Sequence, residues 1–559
     1  MTLRPAIALF VRLLPDRDDL RLHAREYLAA ALSGLILRLA FPKFDLWPAA
    51  WIGMVPLFWS LRGRSGKAAF YRGWTFGAVY FYGVCFFLNT LYVYMGIVIV
   101  GIVLLAVISG LYCALFALGA AAIAWRRPVL ALAAVPAWWV ALESIRSSGE
   151  LGFPFGALAH SQWQVTSLIQ IVSLAGTGAI SFLIVLFNLA LTRAIFDKAT
   201  LSPRRRAAEL AFAFAAVAAC WIYGRQAIGR RTAESSQESA LDVLMVQPNI
   251  PQPRKWESYQ LYGEDHVEKA QAIWDEMLLR VIVPTDDALT SALASNPPDL
   301  IVWPETAVPD YFYNLNPRYT EVIERKDRDW KTPLLFGASR VVPAPDGRTI
   351  AENYNTAYLY LPDAPANPLY YDKRHLVPFG EDFSYFRYIP IMKIFGLDLG
   401  TFDRGAGATV FKIPIRASPS AEAAFSMVIC FESTMPYLFR ESVRNGAQFM
   451  VIVTNDAWYG ASSGAAQHQI QSVFRAVETR RWVCRCANTG ISCFISPEGR
   501  VEQRAGLNTA ATLRARIQPL DGQSVYVRLG PWFSWLCLLL SAVSFVGLLR
   551  PRAAASLNK

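Results

Sequence analysis

Eight stretches of mainly apolar residues dominate this chain: 27–42, 47–61, 73–94, 97–124, 129–145, 165–191, 208–224 and 530–549. A helix rises about 1.5 Å per residue, so roughly 20 such residues cross the roughly 30 Å hydrocarbon layer of a bilayer. The pattern predicts a multi-span α-helical membrane domain of about eight helices. Composition agrees, because 17% of residues are charged where soluble domains carry roughly a quarter. Between the seventh and eighth stretches, residues 226–528 have ordinary globular composition. The expected organisation is a seven-span membrane domain at 1–225, an inserted domain at 226–528, and a last span with its tail at 529–559.

The net charge of +11 raises nucleic acid as a partner, but the positions of the basic residues argue against it. Arg62, Arg64, Lys67 and Arg72 separate spans two and three. Arg126 and Arg127 separate four and five, and Arg193, Lys198, Arg204, Arg205 and Arg206 separate six and seven. The alternate loops carry almost none: Lys43 after span one, nothing after span three, Arg146 after span five. The opening MTLRPAIALFVRLLPDRDD has no cleavage site of small residues and reads as a cytoplasmic leader, with Arg4, Arg12 and Arg17 in it and Arg21 and Arg25 just after as its basic residues. Basic loops stay in the cytoplasm, so the termini are expected there and the inserted domain on the far side. Arg225, Arg230 and Arg231 after span seven go against this and are outnumbered.

Eight cysteines without C-x-x-C spacing indicate neither a disulfide scaffold nor a zinc ribbon. Cys85, Cys113, Cys220 and Cys537 lie in apolar runs and are expected to pack there. Cys484, Cys486 and Cys493 fall in a strand-pair pattern and are read as structural. His375 and His468 are too isolated for a metal site, and GRSGK at 63–67 lacks the phosphate-loop spacing, so no cofactor or metal is expected.

In the inserted domain, 241–247, 299–305, 333–339, 425–430 and 449–455 read as buried strands, and 266–282 and 467–480 as helices with one apolar face. Such alternation predicts an α/β layered domain. Reactive side chains sit at strand ends: Glu305 after LIVWP, Cys430 after SMVI, and Lys373 in YYDKRHLVPFGE. A thiol at a strand-to-helix junction is expected to gain thiolate character from the helix N-terminus and a nearby cation. Each residue alone also fits a plainer role: a loop Glu, a surface Lys, a core Cys.

Their flanks add a resemblance. WPET at 303–306, the Lys373 segment through PFGE at 378–381, and ICFE at 429–432 occur in the order and spacing of the carbon–nitrogen hydrolase (nitrilase) superfamily, over 242–518. With the membrane stretches, the chain resembles the apolipoprotein N-acyltransferase family. QPNIPQPRKW (247–256), GASR (337–340), TNDAWYG (454–460), QHQIQ (467–471), ANTGIS (487–492) and ESIRSSGELGFPFGALAHSQ (143–162) are also similar to that family. The resemblance implies an α-β-β-α sandwich and a triad of Cys430 as nucleophile, Glu305 as general base and Lys373 as oxyanion partner. Glu381 would orient Lys373, while Trp256 and Glu432 match positions near the site. Phe431 departs, since many members carry Tyr after the nucleophile, and the hydroxyl's hydrogen bond is lost.

The reaction so implied is ping-pong. Cys430 takes an acyl chain from a phospholipid, and the α-amine of a diacylglyceryl-cysteine on an apolipoprotein then receives it. The implied setting is the bacterial inner membrane, with the catalytic domain periplasmic and the protein a monomer. A tethered amidase-like hydrolase, with water resolving the thioester, is the alternative; a non-enzymatic membrane protein fits the intact triad poorly. The apolar, aromatic stretch FSYFRYIPIMKIFGLDLG (383–400) is expected to form a membrane-touching arm or a buried helix.

Overall fold

The computed structural model describes residues 21–64, 66–93, 98–126, 129–234, 240–263, 265–290, 296–308, 313–346, 349–364, 367–378, 380–382 and 402–549. The leader at 1–20 and the proposed arm at 383–400 lie outside the described residues.

The N-terminal part is helical: α1 (Ala24–Leu39), α2 (Lys67–Cys85), α3 (Val98–Arg126), α4 (Ala131–Arg146), α5 (Gly178–Phe196) and α6 (Pro203–Glu234). Small residues let α2 and α3 approach closely. A Cβ on Gly77 would lie 2.6 Å from the Cys113 Cβ and 2.8 Å from the Gly110 Cα. Lipid offers no hydrophobic drive between helices, so such close contact is what binds them.

Among the described residues, four helices are long and apolar enough to cross a membrane: Lys67–Tyr92, Gly101–Ala124, Gly178–Phe196 and Pro203–Arg230. The expected spans at 47–61 and 165–191 are not single helices. The first divides into a 3-10 turn, Trp47–Trp51, and a short helix, Val55–Ser60, each with Pro near its start. Its freed backbone groups find partners: Asn188 Nδ2 donates to the Ala50 carbonyl (2.9 Å), and Ser33 Oγ donates to the Gly53 carbonyl (2.6 Å). Irregular backbone is tolerated at membrane depth only when satisfied in this way. The second breaks at Gly176, whose φ of +75° ends the short helix Val172–Ala175 before α5 begins. Hydropathy averages over such breaks, so windows alone overcount continuous spans.

The inserted part is a sandwich of two six-stranded sheets. In chain order the strands are β1 (Leu241–Gln247), β2 (Leu300–Val302), β3 (Leu334–Pro343), β4 (Ile350–Tyr360), β5 (Leu369–Asp372), β6 (Val410–Ile415), β7 (Ser418–Ile429), β8 (Phe449–Thr454), β9 (Val483–Ala487), β10 (Cys493–Ile495), β11 (Val501–Arg504) and β12 (Ala511–Ile517). The first sheet runs β12-β1-β2-β3-β4-β5 and the second β11-β10-β9-β8-β7-β6. In each sheet three neighbouring strands are parallel, β1-β2-β3 and β7-β8-β9. Met245, Val302, Leu335, Met427, Val451, Cys484 and Cys486 meet between the sheets. Period-2 alternation sends the other residues of each strand outward. Leu244 and Trp303 pack under α7 (Gln252–Gly263), α8 (Val267–Thr290) and α9 (Pro317–Trp330), while Met450 and Ile452 pack under α10 (Pro436–Arg444) and α11 (Gly464–Thr479). The α-β-β-α arrangement expected from the resemblance is present, and Cys484, Cys486 and Cys493 are buried.

Helix α11 is buried on every face. One face covers the second sheet and the other meets the helical part. Phe474 lies 5.0 Å from the His160 ring, Gln467 Nε2 donates to the Val84 carbonyl (2.8 Å), and Gln170 Nε2 donates to the Glu498 carbonyl (2.8 Å). After α11 the chain returns through α12 (Trp532–Leu549), which packs on α4. Phe474 is fully buried, so Phe474→Ala is expected to cost about 3–5 kcal/mol, read as a lowered thermal midpoint of the full chain in detergent.

Candidate active site

Three strand ends converge. Strand β2 stops at Val302, Pro304 removes a ladder donor, and Glu305 sits on the turn that follows. Lys373 directly follows β5, and Cys430 directly follows β7. The backbone bends sharply at two of these points, with φ of +53° at Cys430 and +52° at Thr306. Strand β3 passes hard against the Glu305 turn. A Cβ on Gly337 would lie 2.6 Å from the Glu305 Cα, so only glycine fits there without displacing the turn.

The Lys373 side chain is wholly buried between two carboxylates. Its Nζ donates to Glu381 Oε1 at 2.8 Å and lies 3.5 Å from Glu305 Oε1. Asn355 on β4 ties the same oxygens together, its Nδ2 2.8 Å from Glu305 Oε1 and 3.2 Å from Glu381 Oε1. The second Glu305 oxygen accepts from the Asn455 backbone N–H at 2.7 Å, and the second Glu381 oxygen accepts from the Val377 N–H at 2.9 Å. Burial disfavours the Lys373 charge, but Glu381, Glu305 and Cys430 outweigh it and hold the ammonium well above the usual lysine range. Lys373 is therefore a fixed cation at any physiological pH.

Cys430 is only partly buried as a residue, yet its thiol is pushed up by burial and by Glu305, with Lys373 opposing. This corrects the expectation of a resting thiolate. The segment after Cys430 is a five-residue 3-10 turn, Cys430–Thr434, before α10 begins, so it offers little dipole, and the adjacent carboxylate opposes ionisation. Such a thiol needs a base at the moment of attack.

The supporting residues divide. Glu432 is wholly buried and gathers four donors: the N–H groups of Ile429 (2.8 Å), Arg374 (2.7 Å) and His375 (2.9 Å), and the Tyr371 hydroxyl (3.0 Å). It thereby fastens the residue before Cys430 to the residues after Lys373. Burial raises its carboxyl while these N–H groups pull the other way. Phe431 is buried with its ring 5.8 Å from His375. Trp256 stands further out, its ring 6.0 Å from Trp458.

Sequence reasoning missed a second layer. His468 lies beneath the nucleophile: its Nε2 is 2.8 Å from Ser433 Oγ and 3.1 Å from the Cys430 carbonyl, and its Nδ1 is 2.8 Å from Asp456. Arg485 Nη2 donates to the other Asp456 oxygen at 2.8 Å. Burial opposes the Asp456 charge, but Arg485 and His468 hold its carboxyl down at about 2. Among the described residues no cluster of three or more His, Cys, Asp or Glu could hold a metal ion.

With this geometry in place, the chain can be compared with known proteins. Residues 33–190 match the apolipoprotein N-acyltransferase N-terminal domain and 245–526 the carbon-nitrogen hydrolase family. An apolipoprotein N-acyltransferase of Geobacter metallireducens is 32% identical over 95% of this chain and 96% of that one. The chain belongs to the apolipoprotein N-acyltransferase family. Members from Azotobacter vinelandii and Chlorobaculum tepidum are 30% and 28% identical, over 94% and 86% of this chain and 95% and 88% of theirs. Membership makes this an acyltransferase, and its apolar helices make it a membrane protein.

In this N-acyltransferase Glu432 accepts from four donors, so Glu432→Gln would turn an amide N–H toward donors it cannot serve. The expected loss is about 1–3 kcal/mol, measured as a lowered thermal midpoint, with Cys430 alkylation kinetics altered because the turn before it is released.

Proposed function

We propose that Cys430 carries a fatty acyl chain from a membrane phospholipid to the α-amine of a diacylglyceryl-cysteine at an apolipoprotein N-terminus. The observation that carries this reading is the buried Lys373 ammonium, held by Glu305 and Glu381 and electrostatically coupled to the Cys430 thiol. Glu305 takes the thiol proton as sulfur attacks the ester carbonyl carbon. Lys373, already charged and desolvated, stabilises the oxyanion. Collapse breaks the ester bond, and Glu305 returns the proton to the departing lysophospholipid alkoxide. The acceptor amine then attacks the thioester, gives its proton to Glu305, and leaves as the amide while the thiol is restored. Glu381 acts through Lys373 by fixing its position. Phe431, packed on His375, and Trp256, packed on Trp458, serve as supporting aromatic residues, and Glu432 holds the two halves of the site in register.

The domain limits are proposed as 1–225, 226–528 and 529–559, with helix α6 running past the first limit to Glu234. The proposed orientation has the catalytic domain on the periplasmic side of the inner membrane. Arg62 pairs with Asp197 at 2.7 Å and Arg64 with Glu26 at 3.0 Å, which gathers basic loops at one end of the helices. Val84, at the other end of α2, contacts the catalytic domain. Basic loops on the cytoplasmic side support this orientation. All three catalytic groups come from one chain, which supports a monomer as the working unit.

The test uses the full chain in phospholipid–detergent micelles. A fatty-acyl mass increment is expected on the protein, cleared by a diacylated lipopeptide with a free N-terminus and not by its N-acetylated form. Cys430→Ala should lack the increment, and Glu305→Gln should slow its appearance by roughly 10²–10⁴-fold. Clearance by water at the same rate as by the amine would instead favour a hydrolase.

A further inference from the structure

Lys255 on α7 is only 2% exposed. Its Nζ donates to Thr306 Oγ1 at 2.6 Å and to the Thr306 carbonyl at 3.0 Å. Among the described residues no carboxylate forms an ion pair with it. A buried ammonium with only neutral oxygens for partners is costly, and an apolar residue of similar length would fill the space at lower cost. Packing therefore does not account for a lysine at this position. Its partner does. Thr306 directly follows Glu305 and is a β-branched residue held at φ +52°, a conformation that L side chains rarely adopt. Glu305 is the charge that acts on Lys255. Burial draws the Lys255 ammonium down to about 8, with Glu305 opposing, so the group is still charged at neutral pH.

We infer that Lys255 is a positioning residue for the catalytic base: it pins the strained turn that presents Glu305 and supplies a second buried positive charge beside that carboxylate. The turn is fixed from three sides. Gly337 lets β3 press against its backbone, Lys255 holds the carbonyl and hydroxyl of Thr306, and Asn355, Asn455 and Lys373 hold the carboxylate. Lys373 faces the reacting centre, whereas Lys255 acts on it only through Glu305. Trp256, the next residue on α7, then turns its ring toward Trp458, so the helix that pins the base also carries an aromatic ring to the loop after β8.

This inference rests on Glu305 being the base. The experiment measures first-turnover acylation of Cys430 by phospholipid in the full chain, as a function of lipid concentration, together with the thermal midpoint. Lys255→Met, similar in length and uncharged, is expected to acylate on the order of a hundredfold more slowly, at the same half-saturating lipid concentration and with its thermal midpoint kept. Lys255→Arg, which keeps the charge and the donors, is expected to recover most of the rate. Thr306→Ala removes one anchor without touching the charge and should give a smaller loss of the same kind. A folded Lys255→Met that acylates within twofold of the unmodified protein overturns the inference. So does a rate loss accompanied by an equal loss of thermal midpoint that arginine does not relieve. Should Lys255→Met fail to accumulate, Thr306→Ala at the unmodified rate overturns it. Absence of any acylation in the unmodified protein would instead refute the thioester reading itself.

Discussion

The structure around the site depends on one buried charge. Lys373 has no exposed surface, and carboxylates beside it offset the cost of burying its ammonium. Glu305 and Glu381 meet that need, and Asn355 and backbone N–H groups in turn satisfy their oxygens. Neutralising either carboxylate would leave the ammonium a single charged partner in a dry site. The Cys430 thiol stays protonated at rest, because burial disfavours the thiolate and Glu305 opposes a further anion. Charge at sulfur then appears only as Glu305 accepts the proton, which suits a group that must wait for a lipid ester in the presence of water.

Holding these groups together requires both sheets. Glu305 and Lys373 leave the first sheet after β2 and β5, and Cys430 leaves the second after β7. Asn455, just past β8 in the second sheet, reaches back to Glu305. Glu432 reaches from the second sheet to the backbone after β5. The layer between the sheets is apolar, so the polar ties gather at the strand ends, where rigid elements hold them. The second sheet is in turn seated on the helical part through α11. The loop after β8 touches that part as well, with the Tyr459 ring 5.2 Å from Phe87. The membrane helices are thus part of the scaffold of the site as well as its anchor. Two lipid-anchored substrates confined to a plane beside such a site avoid extraction into water.

Much of this was legible in the letters. The strands at 241–247 and 449–455, the helix at 467–480 and the placement of Glu305 and Cys430 at strand ends follow from period and apolar runs, and the structure has them within a residue or a few. Lys373 was singled out by its flanking letters, and the short strand before it was not read. Strand β4 carries Asn355 and begins with three exposed residues, so no apolar run announces it. Lys255, Asp456, His468 and Arg485 were hidden for another reason. Polar residues are usually solvated, and only the tertiary fold reveals that these four are buried, with Asp456, His468 and Arg485 facing one another and Lys255 on Thr306. The broken helices at 47–61 and 165–191 escaped because hydropathy is blind to where Asn188 and Gly176 act. The state of the Cys430 thiol was misjudged because a junction motif says nothing about how close a carboxylate will lie.

The central claim is that Lys373 receives the oxygen of the carbonyl attacked by Cys430. Its most direct test is a solved structure of the full-length protein loaded with phospholipid and denied an amine acceptor. The account predicts a thioester on Cys430 whose carbonyl oxygen lies about 3 Å from Lys373 Nζ. A thioester whose carbonyl turns away from Lys373, leaving the ammonium enclosed by Glu305 and Glu381 alone, would contradict it.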